Sequence, residues 1–91
     1  MQIEVYNTFY RDLKKVPEDI KKIVPVLFDK LREVKNIESV GIGLEKMSGF
    51  KIYYRYKYKS FRIGLKVEND TVFVMRILDR KDIYKYFPTS K

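Results

Sequence analysis

Cysteine and histidine are both absent from this chain of 91 residues. Without cysteine, disulfide bonds, thiolate nucleophiles and thiolate zinc sites are excluded, and a reducing compartment such as the cytoplasm is favoured. Without histidine, the chain lacks the side chain that most often transfers protons near neutral pH and the commonest nitrogen ligand of metals. No cluster of carboxylates suggests a metal site, and no glycine-rich loop suggests a nucleotide pocket. We therefore expect a protein that works without a metal or a cofactor.

Long hydrophobic runs are missing as well. The sequence contains no run of about 18 apolar residues and no basic N-terminal stretch followed by a hydrophobic segment. We therefore expect neither a membrane span nor a signal peptide. A chain of this length has room for one small core, in which it buries roughly 60% of its unfolded surface. The expectation is a single domain over residues 1–91.

Positive charge is abundant and unevenly distributed, and the net charge is +8. Residues 1–42 hold eight Lys/Arg and seven Asp/Glu, a balance of +1, whereas residues 43–91 hold twelve and five, a balance of +7. Six basic residues and no acidic residue lie within residues 50–67. A localised positive field suggests a polyanionic partner, which could be RNA, DNA, an acidic protein or an anionic membrane.

Two runs of alternating residues lie on either side of residues 58–60 and predict an antiparallel β-hairpin. The apolar sides of the two strands hold Phe50, Ile52, Tyr54, Tyr56, Phe61, Ile63, Leu65 and Val67. The opposite sides hold Lys51, Tyr53, Arg55, Lys57, Arg62, Gly64 and Lys66. If both apolar sides face one core, the basic sides form a cationic surface with aromatic residues on the far side of the sheet.

The N-terminal part of the chain predicts a short strand over residues 2–6 and two helices after it. Thr8 is placed to cap the first helix, and Pro17 suits the first turn of the second. The exposed side of the first helix is expected to hold Arg11, Asp12, Lys14 and Lys15. The apolar stripe of the second consists of Ile20, Ile23, Val24, Leu27, Leu31 and Val34. Because this stripe stays in phase across Pro25, we expect one helix kinked at that proline.

The segments around and after the hairpin are expected to be a connection over residues 35–43, a turn over residues 44–48, and a third long strand over residues 71–78. One side of this strand would hold Phe73, Met75 and Ile77. The other side would hold Val72, Val74, Arg76 and Leu78.

Pairing of the third strand with the second strand of the hairpin would bring Arg76 onto the same face as Arg62. Arg80 would then project from the edge of that face. A short terminal turn of helix is expected over residues 80–87, with Asp79 placed to cap it or to pair with a neighbouring cation. This turn carries two tyrosines, Tyr84 and Tyr86.

Three segments resemble the RelE/ParE superfamily of toxins from bacterial and archaeal toxin–antitoxin systems. They are FYRDLKKVPEDIKKIV at residues 9–24, LEKMSGFKIYYRYKYKSFRIGLKV at residues 44–67, and VFVMRILDRKDIYKYFP at residues 72–88. The succession of FRIGLKV, VFVMRIL and RKDIYKYFP is the most specific part. The resemblance implies an α+β fold in which an N-terminal two-helix hairpin packs on one face of a small, mainly antiparallel β-sheet.

The same resemblance implies a function. Toxins similar to RelE act as mRNA interferases: they enter the ribosomal A site and cut mRNA without a metal, by attack of the ribose 2′-hydroxyl on the adjacent phosphate. Members similar to ParE instead inhibit DNA gyrase. An acidic antitoxin wraps the toxin, masks its basic face and, with it, represses the shared operon by binding operator DNA. The implied setting is the cytoplasm, with no membrane partner.

Candidate catalytic residues follow from matching the family's motifs to this chain. Arg62 matches the central catalytic arginine, and Arg80 matches the late arginine after the last strand. Lys51 matches a lysine at the start of the preceding strand, whereas the next lysine of the best-known ribonucleases is replaced by Tyr53. Close relatives often carry histidine where this chain has Asp79. The family's tyrosine near the C-terminus matches either Tyr84 or Tyr86.

The chemistry of RNA cleavage requires in-line geometry, stabilisation of charge on the phosphorane oxygens, and proton transfer. Arginine suits the second task because it is always charged and can bind two phosphate oxygens. Crowding by Arg55 and Arg62 would favour the neutral form of Lys51 and make it a candidate base. The candidate RNA-binding residues are Tyr53, Arg55, Lys57, Lys59, Lys66 and Arg76. Whether Arg55 or Lys57 replaces the missing lysine stays open.

Three functions therefore remain possible at the level of the sequence. The first is a ribosome-dependent endoribonuclease, which the combination of Lys51, Arg62 and Arg80 favours. The second is a gyrase inhibitor without nuclease activity. The third is a degenerate member of the family that folds and binds an antitoxin but is inactive, for which Tyr53 and Asp79 are the supporting departures.

Overall fold

The computed structural model describes residues 1–88; residues 89–91, which include the predicted end of the domain, lie outside the described part. The strands are β1 (Gln2–Val5), β2 (Leu44–Lys46), β3 (Tyr53–Tyr58), β4 (Phe61–Glu68) and β5 (Thr71–Asp79). The α-helices are α1 (Asn7–Leu13), α2 (Glu18–Lys21), α3 (Ile23–Glu33) and α4 (Arg80–Tyr86). A 3₁₀ turn, Ile37–Val40, follows α3.

The five strands form one sheet in the order β1-β5-β4-β3-β2. β1 runs parallel to β5, and the other three pairs are antiparallel. The predicted hairpin is β3 and β4, with Tyr58 opposite Phe61 and Lys59 in the left-handed region at φ 54°. The predicted α+β architecture with a mainly antiparallel sheet is confirmed.

The main core lies between one face of the sheet and the first three helices. Phe9, Leu27 and Leu31 of α1 and α3 are fully buried in it. The sheet contributes Tyr54, Tyr56, Ile63, Leu65, Val72, Val74 and Ile77. The helical stripe and the strand alternation of the sequence thus meet in one cluster, because each buries its apolar side only by packing against the other.

The second predicted helix is divided at Lys22, three residues before the proline where a kink was expected. Pro25 is the third residue of α3, a position whose N–H needs no partner within the helix. Lacking an N–H, Pro25 cannot bond the carbonyl of Lys21, so the hydrogen-bond ladder ends there. The expectation of a single kinked helix is therefore wrong, although the apolar stripe continues across the break.

Two other local expectations differ from the structure. Thr8 lies inside α1, whose N-cap is Tyr6, and the Thr8 hydroxyl instead donates to the Met75 carbonyl at 2.8 Å. Residues 44–48, expected to be a turn, include the edge strand β2. A three-residue strand gives too short an alternation to be distinguished from a turn in the sequence.

A β-bulge at Met75 changes the alternation along β5. Gly64 pairs with Arg76, whereas the next residue of β4, Leu65, pairs with Val74, so Met75 is the extra residue. The core-facing residues of β5 are Val72 and Val74 before the bulge and Ile77 after it. The predicted sides of this strand, which assumed strict alternation, are therefore wrong beyond Val74. Arg76 does lie on the face of the sheet opposite the main core, as expected, because it pairs with Gly64.

The face opposite the main core was expected to be open along its length. The structure differs, because α4 packs on this face. Ile83 and Phe87 are buried there with Met47, and Tyr53, Met75 and Leu78 pack around them. Gly64 makes room for this contact: a Cβ at that position would lie 2.8 Å from the ring of Phe87.

The start of β3 also differs from the prediction. The strand begins at Tyr53, so residues 49–52 lie outside the alternation that was expected to include them. Phe50, which was assigned to the core, is 44% exposed and packs edge-to-face on Tyr53 with the ring centroids 5.6 Å apart.

Candidate functional site

Arg62 and Arg80 lie at one corner of the sheet, where β4 begins and β5 ends beside the β3–β4 turn. Phe61 pairs with Asp79 at this end of the sheet, and the Arg80 N–H donates to the Ser60 carbonyl at 2.7 Å. Because Leu78 is the partner of Arg62, Arg80 lies two residues beyond that partner, diagonally across the strand pair. We call Arg62, Arg80 and the turn residues Lys59 and Ser60 the arginine corner.

Within the arginine corner, Arg62 is held by its own turn. Its Nη1 donates to the carbonyls of Lys59 and Phe61, each at 2.9 Å. In residues 1–88, neither Arg62 nor Arg80 forms an ion pair with a carboxylate. Guanidinium carries five N–H donors, so most of those on Arg62 remain available to an anion. Asp79 caps α4 by accepting the Lys81 N–H at 3.0 Å, as expected.

Lys57 and Arg55 extend the basic surface along β3. Lys57 pairs directly with Arg62, and Arg55 pairs with Gly64, one position further on the same face. Both cations are bound by Glu45 of β2: its Oε1 is 2.7 Å from Arg55 Nη2, and its Oε2 is 2.9 Å from Lys57 Nζ. Lys57 and Arg55 accordingly hold the pKa of Glu45 below its ordinary value. The carboxylate is therefore ionised at neutral pH.

The two C-terminal tyrosines are both exposed but have different partners. Tyr84 is 59% exposed, and the guanidinium carbon of Arg55 lies 5.1 Å from its ring centroid. Tyr86 is 51% exposed and lies 5.3 Å from the guanidinium carbon of Arg76. Tyr84 is thus connected to the basic surface of β3, whereas Tyr86 belongs to a separate contact with β5.

Arg76, expected to bind RNA, makes an ion pair within the protein instead. Its Nε and Nη2 donate to the two carboxylate oxygens of Asp12 at 2.7 and 3.0 Å, and the Ile77 N–H donates to the same carboxylate at 3.1 Å. The hydrogen bonds to Asp12 raise the pKa of Arg76. The guanidinium of Arg76 therefore joins the bulge of β5 to α1 and is not an open cation, and its role in RNA binding stays a prediction.

Three further candidates are also engaged by other residues. Lys66 donates to the Tyr6 hydroxyl at 3.2 Å and lies 4.7 Å from the Phe73 ring centroid; the hydrogen bond to Tyr6 raises its pKa. Tyr53 packs edge-to-face against Phe87, with ring centroids 5.5 Å apart. The third, Lys59, forms an exposed ion pair at 3.2 Å with a carboxylate of α2.

Lys51 lies at the opposite end of the hairpin from the arginine corner. The carbonyl of its neighbour Ile52 accepts the Val67 N–H at 2.9 Å. Val67 is five residues along β4 from Arg62, which is roughly 16 Å because a strand rises about 3.3 Å per residue. The expected convergence of Lys51 with Arg62 and Arg80 is therefore wrong. The expected crowding of Lys51 by the positive charge of Arg62 is wrong for the same reason.

Sequence reasoning overlooked two acidic residues. Asp12 was placed on the exposed side of the first helix, yet its side chain is 11% exposed and binds Arg76. Glu45 lay in an expected turn, so its position opposite Arg55 could not be inferred. The usable signal for Glu45 was the scarcity of acidic residues in this half of the chain, where any carboxylate has many possible cation partners.

The α+β fold with a basic corner at one end of its sheet is shared with a class of small toxins. The chain is 34% identical over 88 residues to Toxin RelE3 of Methanocaldococcus jannaschii, an alignment that covers 97% of this chain and all of the relative. The toxin–antitoxin complex RelB-RelE from Methanococcus jannaschii matches with a TM-score of 0.77 and 33% identity, covering 92% of this chain and 98% of that one. No protein-family model matches the sequence.

More distant structures show the same fold. The archaeal RelE-RelB complex from Pyrococcus horikoshii has a TM-score of 0.68 at 15% identity, covering 87% of this chain and 93% of that one. The RelBE complex of E. coli has a TM-score of 0.67 at 17% identity, covering 86% and 94%.

The chain accordingly belongs to the RelE family of toxins from toxin–antitoxin systems, as the sequence resemblance predicted. No helix within residues 1–88 has the length and hydrophobicity that a membrane span requires.

Proposed function

We propose that this toxin is a ribosome-dependent endoribonuclease that cuts mRNA in the A site. The observation that carries the proposal is the arginine corner, where Arg62 and Arg80 present guanidinium groups without a carboxylate partner in residues 1–88. Other basic residues of this half of the chain, such as Arg76 and Arg55, are neutralised by carboxylates. Two unneutralised arginines at one corner match the charge of a phosphodiester in its transition state.

The reaction would be transfer of a phosphoryl group to the ribose 2′-hydroxyl. The 2′-oxygen attacks the adjacent phosphorus, the bond to the 5′-oxygen breaks, and a 2′,3′-cyclic phosphate remains. Arg62 and Arg80 stabilise the charge on the non-bridging oxygens. Lys57, directly opposite Arg62, and the exposed Tyr84 are the candidate side chains for proton transfer, which groups of the ribosome would assist. No metal or cofactor takes part.

The proposed partners follow from the charge and from the family. A 70S-type ribosome with mRNA in the A site supplies the substrate and its orientation. A cognate acidic antitoxin neutralises the toxin in the cytoplasm, by analogy with the RelB-RelE complexes. Contact with operator DNA is made through that complex.

Primer extension on a message translated by purified ribosomes tests this proposal. Wild-type protein is expected to produce cuts at ribosome-occupied codons. Arg62→Ala is expected to reduce cleavage by about 100- to 1000-fold, the typical loss when one group that stabilises transition-state charge is removed. Arg32→Ala is the matched control, because this arginine is 60% exposed on α3 and its loss changes the net charge equally.

The alternative functions give different outcomes when the protein is expressed in a bacterial cell. DNA breaks with intact message would indicate gyrase inhibition. Unimpaired growth and intact message would indicate an inactive family member, which the packing of Tyr53 and the remoteness of Lys51 favour. Wild-type cleavage by Arg62→Ala would remove the arginine corner from the site.

A further inference from the structure

Glu45 binds the two cations of β3 with separate oxygens. It lies directly opposite Arg55 in the β2–β3 pair. Its Oε1 accepts from Arg55 Nε at 2.9 Å and lies 2.7 Å from Nη2, whereas its Oε2 lies 2.9 Å from Lys57 Nζ. Both oxygens are therefore occupied, and each fixes a different side chain.

The contacts continue from Arg55 to α4, the helix that begins with Arg80 of the arginine corner. The guanidinium carbon of Arg55 lies 5.1 Å from the ring centroid of Tyr84. Tyr84 follows Arg80 by four residues on α4, so the two project from the same side of that helix. A chain of contacts thus runs from the edge strand through Arg55 and Tyr84 to the helix that begins with Arg80.

We propose that Glu45 is a positioning residue of the RNA site, an inference that rests on the proposed function. It holds Arg55 against the ring of Tyr84 and holds Lys57 beside the strand of Arg62. Arginine and lysine lose substantial rotamer entropy when they are fixed, and Glu45 fixes both before RNA arrives. A site that is ordered in advance spends less binding energy on orientation, and this raises the rate of RNA cleavage within the bound complex.

A simple masking role for Glu45 makes the opposite prediction. A carboxylate beside an RNA-binding surface repels phosphate, so its removal would strengthen binding and increase cleavage. A positioning role predicts that its removal lowers kcat, while KM stays the same or falls because a negative charge is lost. The split between kcat and KM therefore separates the two roles.

The test measures cleavage kinetics on programmed ribosomes for Glu45→Gln and Glu45→Ala. We expect Glu45→Ala to lower kcat about tenfold with no increase in KM, because Arg55 and Lys57 would be modestly misplaced. Asp29→Asn is the matched control: Asp29 is 74% exposed on α3 and its change alters the net charge equally. An unchanged or increased kcat for both Glu45 variants overturns the proposal.

A double-mutant cycle with Arg55→Ala tests the route through which Glu45 acts. If Glu45 works through Arg55, adding Glu45→Ala to Arg55→Ala lowers kcat much less than it does in the wild type. Fully additive losses overturn this route. Folding is expected to persist in every variant, because partly exposed ion pairs contribute little to stability.

NMR of the isolated toxin keeps this inference separate from the proposed function. Because the guanidinium carbon of Arg55 lies 5.1 Å from the Tyr84 ring centroid, the δ-methylene protons of Arg55 are expected to show ring-current shifts that disappear in Glu45→Ala. If wild-type toxin cuts no message, the proposed function fails and the NMR result alone decides whether Glu45 positions Arg55. Shifts that are unchanged in Glu45→Ala overturn the inference.

Discussion

Replacing Gly64 by alanine tests how the C-terminal helix docks on the sheet. The added Cβ would lie 2.8 Å from two ring atoms of Phe87 and 2.9 Å from a third. Favourable carbon contacts lie near 3.5–4.0 Å, so the ring must move by roughly 1 Å. Phe87 and Ile83 are both fully buried, and α4 cannot shift without exposing them.

The expected magnitude is a balance of two opposing effects. Overpacking of a filled site costs about 1–3 kcal/mol. The gain from alanine over glycine in an ordinary strand conformation is about 0.5–1 kcal/mol, and Gly64 does not adopt a left-handed conformation that would remove this gain. We therefore expect Gly64→Ala to lower the free energy of unfolding by about 1–2 kcal/mol.

Urea denaturation and amide hydrogen exchange measure this effect. Exchange should accelerate in α4 before it does in β4, because the helix is displaced first. Phe87→Ala provides the matched background: it removes the ring, so adding Gly64→Ala to it should cost nothing further. Equal stability of Gly64→Ala and wild type, or an equal loss in both backgrounds, would refute the assigned contact.

Three more outcomes follow from the contacts described above. Asp12→Ala should lower the free energy of unfolding by about 2–3 kcal/mol in urea denaturation, because Asp12 is nearly buried and binds Arg76 twice; an unchanged midpoint would contradict this. Because the folded-state pKa of Glu45 lies below its ordinary 4.5, its contribution is present above that pH and is lost as pH falls through the lowered value. The stability difference between wild type and Glu45→Gln should therefore vanish in acid, and a difference that persists there would argue against ionised Glu45. Lys51→Ala should cleave message like wild type where Arg62→Ala does not, and equal losses would return Lys51 to the site.

Much of the fold was predictable because it depends on local periodicity. The stripe containing Leu27 and Leu31 and the alternation containing Ile63 and Leu65 both identify the sides that are buried. The bulge at Met75 was not predictable, since one inserted residue changes the pairing without changing the composition of the strand. The edge strand around Glu45 was too short to show a pattern.

The basic character of the C-terminal half was determined by the sequence alone, because the net charge of a segment depends on its composition and not on its fold. Which cations stay available was decided by tertiary structure. Asp12 approaches Arg76 from a distant helix, and Glu45 approaches Arg55 from a neighbouring strand. Ion pairs of this kind form between residues that only folding brings together. Arg62 and Arg80 remain without such a partner in residues 1–88, since the nearby carboxylates are engaged elsewhere: Asp79 accepts the Lys81 N–H, and Lys59 binds a carboxylate of α2.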